Sequence, residues 1–327
     1  MLTITNEVII EHINYLKKKN KNGSYSQSST YFKCITLSCY EDLDITEESK
    51  QFIVDFFSKK FDSIIKSPLD QLIEIEEIFY RTLIKYEDKE LAGVKSAIDK
   101  KLENIMGYRN FSNNSGVWNA LEFCKCIEVN TCPYCNLQFT YSIDENNKSI
   151  RPHLDHFYPK SKHPILSMSL YNLVPSCYTC NSSLKRDIEP LEILDWYPYD
   201  NDIYSKFNIK RTFDSDIKDF YSALLGYSDE YTLDFYTKED RLKESLNKFI
   251  DLFFLKERYS MHKTKLNKEL VNFFSYSSSY MKSLDQAYDF GLTYDQLINS
   301  FITNDYDDYV LSKLINDIIL EEQKFIY

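Results

Sequence analysis

The chain has 327 residues, 43% hydrophobic and 16% aromatic, with only six glycines and eight prolines. This supplies apolar material for one large core or two smaller ones and argues against a loop-rich or all-β protein. Fifty acidic residues against 39 basic ones give a formal net charge of −11, which excludes a general polyanion binder, so any nucleic-acid contact has to be local.

The N-terminal "MLTITNEVIIEHINYLKKKN" lacks a leading basic segment and a small-residue cleavage site. No run approaches the roughly 20 apolar residues that cross a bilayer. The protein is therefore expected to work in the cytoplasm, with residues 5–20 as a helix of the fold. "NGSYSQSST" (22–30) reads as a polar loop. From "TEESKQFIVDFF" at 46 to about 106, apolar residues recur at helical spacing. Thr46 stands as the cap of this stretch, and Ser67-Pro68 separates two helices. "YRNFSNNSG" (108–116) reads as a loop, followed by a short helix in "VWNALEFC".

The pattern changes near 129. "LQFTYSI" (137–143) and "SIRPHLDHF" (149–157) read as the strands of one hairpin, turning at "ENNK" (145–148). A loop with Pro159 and Pro164 follows, then "LYNLVPSC" and a short helix from Asn181. Beyond Pro190, "WYPYDNDIYSKFNIKRTF" is irregular and then a strand, with "YTLDFYT" (231–237) as its partner. Residues 238 to about 282 read as helical, and "SKLINDIILEEQKF" as a closing helix.

Two of these segments carry CxxC pairs, Cys132 and Cys135 in "CPYC" and Cys177 and Cys180 in "CYTC". In a reducing cytosol such thiols are reduced or metal-bound rather than paired in disulfides. Two intervening residues let a tight turn direct both sulfurs at one ion. Four thiolates satisfy tetrahedral Zn²⁺ and leave no open position, so the site is expected to be structural. A thioredoxin-like role would need a strand–CxxC–helix context, whereas "CPYC" precedes the expected hairpin. Cys124 and Cys126 are substitute ligands by type, though such residues are more often simply buried, and Cys34 and Cys39 carry no signal.

The window 151–186 runs against the acidic background. It holds three of the five histidines and five basic residues, Arg151, Lys160, Lys162, Lys185 and Arg186, against one acid, Asp155. Neighbours on an ideal strand face opposite ways. Asp155 and His156 therefore share a site only where the strand ends or bulges, and Pro159 marks such an end. His153 falls on the Asp155 face. His163 follows the basic loop and is placed to touch phosphate. His12 and His262 read as structural, and Tyr158 and Tyr171 read either as stacking on bases or, the safer reading, as core or loop packing.

"LDHFYPKS…YNLVPSCYTCN…LK" resembles the HNH endonucleases, the ββα-metal nuclease family, in their zinc-stapled form. The match runs from Cys132 to about Lys185, and Asn181 stands where the family often has a third histidine. More loosely, "WNALEFCKCIEVNTCPYCN", "ERYSMHKTKLNKEL" and "LSKLINDI" resemble the PtuB-like HNH proteins of Septu-type anti-phage defence. The resemblance implies His156 as general base and Asp155 with the side-chain oxygen of Asn181 as ligands of one Mg²⁺ or Mn²⁺. Asn172 would brace a loop whose backbone carbonyl fixes the His156 ring. Lys160, Lys162, Lys185 and Arg186 would contact the nucleic-acid backbone, with His153 as an accessory group. DNA is favoured over RNA as substrate, and an AAA/ABC-type ATPase is the implied partner. The alternative is a catalytically silent zinc-stabilised module that binds nucleic acid or protein. The expected architecture is α+β and predominantly α-helical: a helical region over 1–120, a zinc-stapled HNH module over 121–190, and short strands then helices over 191–327.

Overall fold

A computed structural model describes residues 2–87, 91–113, 116–146, 148–199, 203–276 and 309–324, with scattered positions between 277 and 308. It is a mixed, mostly helical α+β protein. No described helix is long and apolar enough to cross a membrane. Contacts divide the chain into two units, Leu2–Val129 with Thr140–Leu191, and Asn130–Phe139 with Glu192–Tyr327.

In the first unit, α1 (Asn6–Leu16) starts where the Thr5 side chain accepts from the Val8 amide, and it buries Val8, His12 and Leu16 at helical spacing. After α2 (Thr30–Cys34), α3 (Glu47–Lys66) buries Ile53, Phe57, Phe61, Ile64 and Ile65 along one stripe. Thr46 Oγ1 accepts from the Ser49 amide at 3.1 Å, while the Thr46 amide donates to Glu87 Oε1 at 3.0 Å. A distant glutamate thus supplies the half of the capping box that Ser49 does not. Pro68 separates α3 from α4 (Leu69–Leu83), at a helix start where its missing N–H costs nothing. Next comes α5 (Leu91–Met106), packed on a short 3₁₀ turn at Pro164–Met168.

Two expectations shift here. Residues 108–112 are helical (α6, Tyr108–Ser112), and the following helix is α7 (Ala120–Ile127), three residues later than expected because Asn119 caps it through Leu121 and Glu122.

The expected hairpin does not form as drawn. A small exposed ribbon pairs β1 (Ile143–Glu145) with β2 (Lys148–Ile150), and Asn147 of its turn lies outside the described residues. The Asp155 strand, β3 (His153–His156), pairs antiparallel with β4 (Leu173–Ser176), matching His153 to Ser176 and His156 to Leu173. Burial decides the pairing. All of β4 and three residues of β3 are buried, whereas the 143–150 ribbon has no buried face to offer. A wide helical turn, Thr179–Lys185, follows β4, beginning two residues before Asn181.

The second unit holds an antiparallel pair, β5 (Asn208–Thr212) and β6 (Thr232–Tyr236), then α8 (Phe220–Leu224) between them in sequence. The long helical stretch expected from 238 is divided into α9 (Lys243–Leu252), α10 (Leu255–Ser260) and α11 (Lys263–Ser275). The first break falls at Phe254, whose φ is 50°. The expected end of that stretch, 277–282, lies outside the described residues except for Tyr280. Trp196 stacks on Phe249, and Tyr134 stacks on Phe253. The last described helix, α12 (Ser312–Gln323), packs on β5 and α11. Arg211 pairs with Glu322 at 2.6 Å, and Asp317 accepts from the Ile209 amide at 2.7 Å.

Candidate metal centre and active site

The sulfurs of Cys132, Cys135, Cys177 and Cys180 all lie within 4.8 Å of one another, and all four residues are buried. Four sulfurs around one Zn²⁺ at ~2.3 Å would stand about 3.8 Å apart, so the cluster has the size and donor set of a structural site. Local turns aim the thiols. The Cys132 carbonyl accepts from the Cys135 and Asn136 amides at 3.2 and 2.8 Å, and the Cys180 amide donates to Cys177 Sγ at 3.4 Å. Cys34, Cys39, Cys124 and Cys126 are not part of the cluster.

Sequence reasoning missed the residues that hold the first turn. Arg258 Nη2 donates to Cys135 Sγ at 3.3 Å. The Tyr259 and Tyr204 hydroxyls donate to the Cys135 and Cys132 carbonyls, each at 2.8 Å. Asn136, at φ 49°, turns its side chain to the start of α12, where Oδ1 accepts from the Lys313 amide at 3.0 Å. The one sequence signal was the pentad CxxCN, present at both knuckles.

The β3–β4 pair and the Thr179–Lys185 turn build a second constellation. His153, Asp155, His156 and Asn181 line one cavity of about 680 Å³ together with Lys160 and Arg186. Asp155 and His156 share it because β3 ends at His156. The Ser167 carbonyl lies 3.0 Å from His156 Nε2 and accepts its proton, so Nδ1 is the nitrogen with a lone pair. Burial pushes the His156 pKa down to about 3, leaving a neutral ring at pH 7.

Asn172, fully buried, ties the loop together. Its Oδ1 accepts from the Tyr158 amide at 2.7 Å, and its Nδ2 donates to the Tyr158 and Leu166 carbonyls at 3.0 and 3.1 Å. Tyr108, unnoticed in the sequence, stands edge-on to the His156 ring at 4.3 Å.

Asn181 Nδ2 donates to the Leu154 carbonyl at 3.4 Å, a bond that does not use its Oδ1. A carboxylate and an amide oxygen are the hard donors that Mg²⁺ or Mn²⁺ takes, so the residues present fit such an ion. His153 is exposed and lies 3.4 Å from the Ser182 hydroxyl.

The basic residues need correction. Lys185 is fully buried and cannot reach a phosphate. Its Nζ donates to Asp155 Oδ1 at 3.2 Å and to the His156 carbonyl at 2.8 Å. A buried ammonium needs such acceptors, and these two lie beside it. Lys160 pairs with Glu103 at 2.7 Å and Lys162 with Glu189 at 3.6 Å. Three of the window's five basic residues are thus paired, with Glu103 from far upstream, with Glu189 just past the window, and with the window's own Asp155. Arg186 is exposed, lines the cavity, and forms no ion pair among the described residues. His163 does not face this cavity. It lies between Glu76 and Glu189.

His12 is structural. It is wholly buried, accepts at Nδ1 from Trp118 Nε1 at 3.0 Å and donates from Nε2 to the Met168 carbonyl at 3.0 Å. Tyr158 is buried and packs rather than presenting a face to bases.

No protein-family model, curated protein or solved structure matches the chain.

Proposed function

We propose that the chain is a metal-dependent endonuclease of HNH type that hydrolyses phosphodiester bonds in nucleic acid, DNA in preference to RNA. One observation carries the reading: a neutral His156 ring, held by the Ser167 carbonyl, shares a cavity wall with Asp155 and Asn181. The order strand, strand, helical turn across β3, β4 and Thr179–Lys185 supports it.

In this reading His156 Nδ1 takes a proton from the attacking water, a role typically worth 10²–10⁴-fold. Asn172 is a positioning residue, keeping the loop that carries the Ser167 carbonyl in place. Asp155 and Asn181 Oδ1 would hold Mg²⁺ or Mn²⁺, and the bound ion supplies charge neutralisation at the phosphate and at the departing oxygen. Arg186, at the cavity, meets the backbone, and Lys160 joins it by exchanging Glu103 for phosphate. Zinc at Cys132, Cys135, Cys177 and Cys180 is structural.

Because Lys160, Lys162 and Lys185 are already paired and the chain carries −11 overall, the protein alone binds nucleic acid weakly. A partner, of the ATPase kind that the resemblance to defence systems implies, would present the substrate. The silent-module alternative has one observation in its favour: the Lys185 ammonium already occupies one Asp155 oxygen.

Purified protein incubated with plasmid DNA and with total RNA, in Mg²⁺ and in Mn²⁺, separates the two. Cleavage that His156→Ala removes, with zinc content and melting temperature retained, is the expected result. Cleavage that survives a clean His156→Ala preparation refutes the base assignment. Absence of cleavage under every condition, including with a candidate partner present, favours the silent module.

A further inference from the structure

Lys185 ends the Thr179–Lys185 turn and is fully buried, which a lysine tolerates only when its ammonium is paired. Its Nζ donates to Asp155 Oδ1 at 3.2 Å and to the His156 carbonyl at 2.8 Å, and it stands 5.9 Å from the Phe157 ring centroid. The ammonium thus lies behind the wall of the His156 cavity, against a buried acid of that wall.

Packing alone does not account for a lysine here. Apolar side chains of similar volume fill such a space as well or better, because a buried ion pair gains little over the cost of desolvating its two charges. The pair falls instead on the carboxylate that the nuclease reading gives to a divalent cation.

The charges around the cavity point the same way. Arg151, Lys160 and Arg186 line it, against Asp155 and Asp187. Lys160 is matched by Glu103, and Asp187 is exposed. Asn181 and the neutral His156 ring bring polar atoms but no negative charge. Asp155 is the buried carboxylate, and Lys185 cancels its charge. Hard cations are usually held by one or two carboxylates together with substrate phosphate oxygens. With its carboxylate neutralised, this wall offers a free cation little net attraction. A phosphodiester in the cavity would supply the missing negative charge, and the exposed Arg186 favours its arrival.

We propose that Lys185, acting through Asp155, withholds the site from free divalent cation, so that ion binding depends on a nucleic-acid phosphate. The inference rests on the nuclease reading and adds a regulation to that same site. Such coupling is reciprocal: the ion tightens nucleic acid by the factor that nucleic acid tightens the ion. The contact that speaks for a silent module is, in this account, the resting state of a working site.

The test reads Mn²⁺ binding to the full chain by paramagnetic resonance of the free ion. Lys185→Met combined with Asp155→Leu, which has no carboxylate at the site, gives the background from the other acids. Wild type should bind scarcely above that background. Lys185→Gln, which keeps a donor and loses the charge, should bind Mn²⁺ at least about tenfold tighter than wild type. Lys185→Met serves where Lys185→Gln does not fold, and far-ultraviolet dichroism checks both. A lysine with a merely structural role would not raise cation affinity when replaced. In the His156→Ala chain, where DNA is not consumed, Mn²⁺ should tighten a fluorescent duplex by about tenfold more than it does in the double variant. An equal effect of Mn²⁺ in those two chains would overturn the dependence on phosphate. Equal Mn²⁺ affinity in wild type and Lys185→Gln, both above background, would overturn the role of Lys185 and leave the nuclease reading standing. No binding above background in any chain, with or without duplex, would remove the cation site that both require. Tighter Mn²⁺ binding by Lys185→Gln without nucleic-acid cleavage under any condition would uphold the role of Lys185 and defeat the nuclease reading.

Discussion

The four-cysteine cluster and the His156 cavity are both buried polar constructions, yet they differ in what they leave open. The cluster offers four like donors within 4.8 Å, buried on all sides, which is how a structural ion is held. The His156 cavity offers unlike donors, a buried cation and about 680 Å³ of space. One arrangement is complete once its ion is bound, whereas the other keeps open space beside its polar groups. Perturbing the first should therefore cost folding, and perturbing the second should cost chemistry unless a buried charge is stranded.

Metal removal tests the first half most severely. Structural zinc can contribute on the order of 10 kcal/mol to folding, so chelation under mild denaturant, or Cys177→Ser, should unfold the protein cooperatively. Zinc per chain and far-ultraviolet dichroism report this together. A Cys177→Ser protein with wild-type melting temperature would show that the cluster is not a folding element.

Lys185 sharpens the contrast, since it is fully buried yet bonds to Asp155, a residue of the cavity wall. Removing one partner of a buried ion pair costs about 3–5 kcal/mol, whereas replacing both by apolar groups is often near neutral. Lys185→Met should therefore lower urea stability strongly. Lys185→Met combined with Asp155→Leu should recover much of that loss while remaining unable to hold a catalytic cation. If Lys185→Met alone is neutral, the pair is not the anchor that the geometry indicates.

How much of this was legible in the sequence follows the same division. The cysteine cluster was legible because its donors are fixed by residue type and its local geometry by the CxxC spacing. The break at Pro68 was legible because a short-range signal decides it, and β5 and β6 because each strand shows in its own residues, although their pairing spans α8. The partner of β3 was not, because His153–His156 is too short to select a register, and the choice fell to burial of β4. The fate of the basic window was not legible either. Lys160 meets Glu103, and Lys185 meets Asp155 from across the β3–β4 unit. Charge totals read along a window anticipate neither an acid brought in by folding, such as Glu103, nor the burial of Lys185 against the window's own Asp155. Arg258, Tyr204 and Tyr259 gave no signal, since an arginine or tyrosine in a helical or irregular stretch has many uses.

The smallest expected effect compares the two units through their pH dependence. In the first unit, burial pushes the His12 pKa down to about 4. The folded state then binds fewer protons than the unfolded state between about pH 6.5 and pH 4, so stability falls as pH drops through that window. His156, pushed down to about 3, acts in the same sense. Glu76, raised by burial, acts oppositely, one carboxyl against two imidazoles. His163, with a raised pKa, contributes fully below about pH 6.5 and adds no slope there. In the second unit, burial raises Asp317 to about 6 despite Lys313. That folded state binds more protons between about pH 6 and pH 4, and its stability rises on acidification. The chain has two tryptophans. Trp118, bonded to His12, lies in the first unit, and Trp196 lies in the second. Trp196→Phe leaves a reporter of the first unit, and Trp118→Phe a reporter of the second. From about pH 6.5 to about pH 4.5 the urea midpoint read by Trp118 should fall by an amount worth on the order of 2 kcal/mol, while that read by Trp196 holds or rises. Parallel decline of both signals would mean that unpaired carboxylates, not these buried groups, govern the acid response.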